Sequence, residues 1–139
     1  MPTDLDAMAA ACLDALGPVR SVAYVSAHGT GTPIGDPCET RLYKQLFGDH
    51  AYRIPTSSMK SMTGHCLGTS SMIEALVTLE GLRAQIAPPT LNLEEPDPEC
   101  DLDYVPLVPR AIGDGFALSV AFAFGGHNSA LLLASEKPW

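Results

Sequence analysis

The sequence predicts an α/β fold, a layered arrangement of helices on a mixed five-stranded sheet. Three observations predict it. Stretches with apolar residues at helical spacing alternate with short β-branched and aromatic runs. Polar, glycine-containing loops each follow a predicted strand, where ligands of open α/β sheets bind. Two consecutive strands then finish the chain, which makes the sheet direction mixed.

Each element can be justified in order. Thr3 is placed to cap a first helix, with Asp6 as its capping-box partner. Leu5, Met8, Ala9, Cys12, Leu13 and Leu16 follow at helical spacing, and Gly17-Pro18 ends the run. Residues 21–26 form a β-branched and aromatic run that reads as a buried strand. A polar loop leads to a second helix, with Asp36 at the cap, Pro37 at the first helical position and Glu39 at the third. Leu42, Tyr43, Leu46 and Phe47 are its apolar face, and Gly48 closes it. A short strand over 53–56 leads to a loop over 57–68. A third helix then runs to Arg83 with Met72, Ile73, Leu76, Leu79 and Leu82 predicted inward.

Between Ala84 and Gly115 the pattern weakens. Six of the twelve prolines lie between Pro88 and Pro109, so the segment reads as extended chain with one strand over 102–105. So long an irregular stretch is uncommon in a compact domain and implies a loop that wraps onto another surface. The last two strands are predicted over 117–122 and 130–134, joined through Phe124-Gly125-Gly126-His127-Asn128.

Composition excludes several classes. The 139 residues suit one domain, with 46% hydrophobic and 17% charged residues, unlike a disordered tail. No apolar run approaches the roughly 20 residues of a membrane span. The opening MPTDLD is not a secretory signal. Cys12, Cys38, Cys66 and Cys100 form no CxxC pair and no zinc spacing, so no metal site is expected and reduced, buried thiols in a cytoplasmic protein are. A net charge of −8 argues against nucleic-acid binding.

Three loops carry the chemistry. In Ala27-His28-Gly29-Thr30-Gly31-Thr32-Pro33-Ile34-Gly35-Asp36, a histidine at a strand end is firmly held. The glycines allow close backbone approach, and Thr30 and Thr32 offer hydroxyls. A plain Gly/Thr turn is the alternative. In the loop 57–68, Lys60 and His65 lie among small residues, and a nearby ammonium opposes protonation of the imidazole. The alternative is a surface lysine and an incidental histidine. Glu74 is either the capping-box partner of Ser71 or a partner of Lys60. In the third loop, the glycine pair after Phe124 either exposes backbone N–H groups as an oxyanion hole requires or forms a simple hairpin turn.

Together these loops resemble the C-terminal half of elongating β-ketoacyl-acyl-carrier-protein synthases, thiolase-fold enzymes of fatty acid and polyketide synthesis. The resemblance rests on His28-Gly29-Thr30-Gly31-Thr32-Pro33 with Gly35-Asp36, on Lys60-Ser61-Met62-Thr63-Gly64-His65, on Ala87-Pro88-Pro89-Thr90-Leu91-Asn92 and on Phe124-Gly125-Gly126. It covers nearly the whole chain, 1–139, and implies no further domain. By this resemblance, His28 and His65 hold the malonyl thioester oxygen through their N–H groups while the carboxylate leaves. Lys60 orients His65 and keeps it neutral, and Glu74 is the buried acid beside that lysine. Thr30 and Thr32 contact a phosphopantetheine arm. Phe124 is a gate, and its N–H joins the oxyanion hole with Gly125 and Gly126. No cofactor is expected beyond the phosphopantetheine of an acyl carrier protein. That partner is typically acidic, so an acidic chain needs a local basic patch, or one on another chain, to receive it.

The family's nucleophilic cysteine, at a strand-to-helix turn of the N-terminal half, has no counterpart here. Cys12 and Cys38 fall in predicted helices, Cys100 in the acidic wrapping segment, and Cys66 stands where relatives carry a large aliphatic residue and is expected to be a core thiol, the alternative being a direct catalytic role beside His65. Other departures are Ala123 for a glycine, which stiffens the gate, Ser71 for a glycine-like position, and His127 for threonine or serine. The expectation is a subunit of a split synthase, its boundary at Met1, completed by an N-terminal half on another chain and assembled as a ketosynthase dimer. The alternatives are a non-catalytic chain-length partner of a ketosynthase and an inactive fragment.

Overall fold

The structure, a computed structural model, describes residues 4–135. Helix α1 spans Leu5–Leu16. Thr3 lies outside the described residues, and the cap is Asp4, whose side chain accepts from the Ala7 N–H at 3.1 Å. Met8, Ala9, Cys12 and Leu16 are buried as expected, whereas Leu13 is exposed. Strand β1 is Tyr24–Ser26, the buried end of the predicted run.

Helix α2 spans Gly35–Phe47 and ends at Gly48. Asp36 is not its cap but lies inside the first turn, where Oδ1 accepts from Thr32 N–H at 3.4 Å and closes the loop ahead. A 3₁₀ turn, Gly48–Arg53, precedes strand β2, Thr56–Ser57. The ladder starts at Thr56, later than predicted, because Pro55 has no N–H to contribute. Inside the predicted loop sit helix α3, Lys60–Thr63, and a 3₁₀ turn, Leu67–Thr69.

Helix α4 spans Ser70–Ala84, and its inward face differs from the prediction. Ser70, Glu74, Thr78 and Leu82 are buried, while Met72 is 67% and Leu76 59% exposed. Glu74 is drawn inward to Lys60, and a rotation that buries one residue buries its neighbours four apart.

The segment 84–115 contains a small antiparallel pair, β3 (Ile86–Ala87) and β4 (Arg110–Ala111). No strand forms over 102–105, because Val105 and Leu107 turn into positive φ and break the extended path. The wrapping segment packs on this same chain. Tyr104 Oη meets Thr40 Oγ1 at 2.5 Å, Lys44 pairs with Asp101 at 2.5 Å, and Thr56 N–H donates to Asp103 O at 2.8 Å.

Strands β5 (Phe116–Ala123) and β6 (His127–Ala134) form the closing hairpin. Among the described residues, the main sheet has four strands rather than five, in the order β2-β1-β5-β6. Strands β2, β1 and β5 are parallel, and β6 runs antiparallel to β5. Alternation along the strands builds two cores. Val25, Leu118, Val120 and Phe122 face α1 and α2, while Tyr24 and Ala117 join Leu82 of α4 on the other side. The sheet is therefore the middle layer of three, and its parallel strands deliver three loops to one edge.

Candidate active site

His28 follows β1, the Lys60–His65 segment follows β2, and Phe124 follows β5. Because these strands are parallel, all three segments leave from the C-terminal edge of the sheet. The imidazoles of His28 and His65 meet edge to face, with ring centroids 5.6 Å apart and planes at 84°. Phe122 supports His28 from below at 6.0 Å. His28 is buried and His65 exposed.

The two rings are held differently. His65 Nδ1 accepts the Leu67 N–H at 3.2 Å and lies 3.2 Å from Ser70 Oγ. A neutral ring that accepts at Nδ1 carries its proton on Nε2, which is then a donor. His28 is fixed through its backbone, since its N–H donates to Glu39 Oε2 at 3.0 Å, and its buried Nδ1 has no partner among the described residues. Burial, the Lys60 charge and then His65 push the His28 imidazole down to about 4, so the ring is neutral near pH 7.

Lys60 Nζ pairs with Glu74 Oε1 at 2.5 Å, and both side chains are almost wholly buried. This contact replaces the capping box with Ser71. Burial raises the Glu74 carboxyl above its ordinary value, and Lys60 opposes that rise. The hydrogen bonds that orient His65 come from Leu67 and Ser70 rather than from Lys60, whose charge acts on His28.

Glu39 was read from the sequence only as a helix-start residue. It is buried, and its carboxylate accepts from His28 N–H, from Gly29 N–H at 2.8 Å and from Tyr43 Oη at 2.7 Å. Burial pushes this carboxyl up to about 7 against those donors. The spacing of Glu39 and Tyr43, one helical turn apart, was the available signal that the acid points inward.

Thr30 and Thr32 lie 3.3 Å apart through their hydroxyls and line a cavity of about 500 Å³ with Gly29, Lys60, Leu91 and Asn92. Ala27 and Gly29, the neighbours of His28 in the chain, also line the cavity, and neither histidine does. Phe124 is 80% exposed in a tight turn with Gly125 and Gly126, both at positive φ. Cys66 is exposed, contrary to the expected core thiol, while Cys12, Cys38 and Cys100 are buried. The bulge of chain between α3 and α4 carries Cys66 outward with its neighbours. His127 is exposed at the start of β6. Among the described residues, no helix is long and apolar enough to cross a membrane, and no cluster of His, Cys, Asp and Glu could hold a metal ion.

Residues 2–94 match the family described as the β-ketoacyl synthase, C-terminal domain. The chain is 57% identical over 110 residues to a 3-oxoacyl-[acyl-carrier-protein] synthase 2 of Synechocystis, covering 79% of this chain and 26% of that protein. It superposes with TM-score 0.90 and 35% identity on a ketosynthase solved in complex with its type II polyketide acyl-carrier protein, covering 98% of this chain and 34% of that one. A solved ishigamide ketosynthase/chain length factor gives TM-score 0.87 at 31% identity, covering 96% of this chain and 34% of that one. The chain thus spans about a quarter of the curated relative and a third of the solved chains. Over the span that carries the two histidine loops, the chain belongs to the β-ketoacyl synthase family, as its C-terminal domain with the thiolase-like fold.

Proposed function

We propose that this chain supplies the electrostatic part of a β-ketoacyl synthase site, which a nucleophilic cysteine on a partner chain completes. The observation that carries this reading is the imidazole pair, 5.6 Å apart, with His65 tied at Nδ1 so that Nε2–H is free to donate. In the proposed reaction, the C–C bond to the malonyl carboxylate breaks and carbon dioxide leaves. The electron pair moves to the thioester oxygen as an enolate, which His28 and His65 stabilise by donating N–H groups. The enolate carbon then attacks the acyl thioester on the partner's cysteine, and the thiolate departs. A low His28 pKa serves this role, because a neutral ring donates without being titrated near pH 7.

The remaining roles are part of the same proposal. Lys60 and Glu74 hold the charge balance behind the pair. Thr30 and Thr32 contact the phosphopantetheine arm of an acyl carrier protein at the mouth of the cavity. Phe124, exposed on its glycine-flanked turn, gates the acyl side and offers its N–H, with Gly125 and Gly126, to the oxyanion. The complete enzyme is a dimer of such assemblies. A chain-length partner is the second reading, favoured by the likeness to the ketosynthase/chain length factor. The persistence of His28, Lys60, His65 and Glu74 in one connected cluster weighs against it.

The test is to combine the chain with the cysteine-bearing half and follow carbon dioxide release and condensation from malonyl-carrier protein. His28→Ala is expected to lower decarboxylation by about 10²–10³-fold, the usual effect of losing one oxyanion donor. Undiminished turnover in His28→Ala, or full condensation by this chain alone, would overturn the reading.

A further inference from the structure

Ser58 opens the loop that carries His65 and faces the loop that carries His28. It follows β2, is buried, and precedes Lys60 by two residues. Its hydroxyl donates to Gly29 O at 2.8 Å, with His28 O at 3.5 Å beyond it. The same oxygen accepts the Lys60 N–H at 3.3 Å. A relay therefore runs from the Lys60 amide through one hydroxyl to the Gly29 carbonyl, joining the loop of His65 to that of His28. The Ser58 carbonyl in turn accepts from Ser61 Oγ at 2.9 Å, which fixes the first turn of α3.

The contact is close as well as polar. Gly29 has φ of +40°, and a Cβ there would stand 2.6 Å from Ser58 Cβ. The Gly29 backbone is held on both sides, its N–H by Glu39 and its carbonyl by Ser58. Neither loop can translate along the sheet edge without breaking one of these bonds.

We infer that Ser58 is a positioning residue that sets the separation of the His28 and His65 rings by tying the start of the His65 loop to the backbone of the His28 loop. This inference rests on the reading of the two histidines as a donor pair, but concerns their geometry rather than turnover. A part-buried carbonyl and amide deprived of their shared partner would reorganise toward other partners, and the rings would move with them. Displacement of a catalytic group by about 1 Å can cost on the order of 10²-fold in rate.

The experiment is NMR on the full chain, reading the nuclear Overhauser cross-peak between the His28 and His65 rings. In Ser58→Ala that cross-peak is expected to fall by more than half, with the cross-peaks of the hydrophobic core unchanged. Ser58→Cys fills the same space with a weaker hydrogen-bonding group and is expected to give an intermediate loss. Should Ser58→Ala lose its core cross-peaks, Ser58→Cys alone carries the test. An inter-ring cross-peak at full strength in a folded Ser58 variant would overturn the inference. A moved ring pair in a complete enzyme whose turnover is unchanged would instead count against the donor-pair reading.

Discussion

At the scale of single residues, Glu39 is the least expected member of the site. One carboxylate receives two backbone N–H groups and a tyrosine hydroxyl, so it holds the first histidine loop to α2. Glu39→Gln keeps the shape but replaces one acceptor oxygen by a donor, leaving an N–H of His28 or Gly29 opposed. It is expected to destabilise the chain by about 1–3 kcal/mol in urea unfolding. The sign of the pH dependence follows from a carboxyl raised from 4.5 to about 7 on folding. Its protonated form contributes stability that is complete below pH 4.5 and is lost as pH rises through 7. The deficit of Glu39→Gln should therefore be larger at pH 5 than at pH 8, and a constant deficit would contradict this. The histidines, Lys60 and the threonines were legible as candidates because their loops carry recognisable residue types. Glu39 and Ser58 were not, because their importance lies in which distant backbone atoms they meet.

At the scale of elements, α4 shows how a polar contact overrides an apolar pattern. Its leucines and methionine predict one inward face, yet the buried stripe runs through Ser70, Glu74, Thr78 and Leu82. The ion pair with Lys60 selects that rotation, because a buried carboxylate without its partner costs more than an exposed methionine or leucine. The far end of the helix is set by Gly81, where a Cβ would stand 2.7 Å from the Ile86 carbonyl oxygen. Gly81→Ala gains about 1 kcal/mol in helix propensity. Overpacking against backbone costs about 1–3 kcal/mol, so a net loss of stability is expected. A thermal unfolding midpoint at or above that of the parent would refute the close approach. Among the strands, both ends of β5 were predicted to within one residue and the last residues of β1 and β6 at Ser26 and Ala134, although β1 starts later and β6 earlier than predicted. The start of β2 and the segment 102–105 were not, because the absent N–H of Pro55 and the positive φ of Val105 outweigh local composition.

For the whole molecule, the exposed apolar residues bear on assembly. Met72 and Leu76, one turn apart on α4, project from the chain, and Leu67 just before the helix is 72% exposed. Under the proposed function this face is where the remainder of the synthase packs. Replacing Met72 and Leu76 together by glutamate removes no internal contact of consequence, so stability should stay within about 0.5 kcal/mol. Co-purification with the cysteine-bearing half should be lost. Retained pairing would place the interface elsewhere. The wrapping segment, by contrast, was expected to cover another surface and covers α2 of this chain through Tyr104 and Asp101.

The sequence alone determined the α/β class, the order of the long helices α1, α2 and α4, the three loops of chemical interest and the family. These depend on periodicity, turn residues and short motifs, which are local properties of the chain. Only the tertiary structure decided the strand count of the main sheet, the rotation of α4, the meeting of the two imidazole rings and the parts played by Glu39 and Ser58. Each of these depends on partners brought together across the fold. Parallel strands place chemically distinct loops side by side at one edge, and no reading along the chain can supply the distances between them.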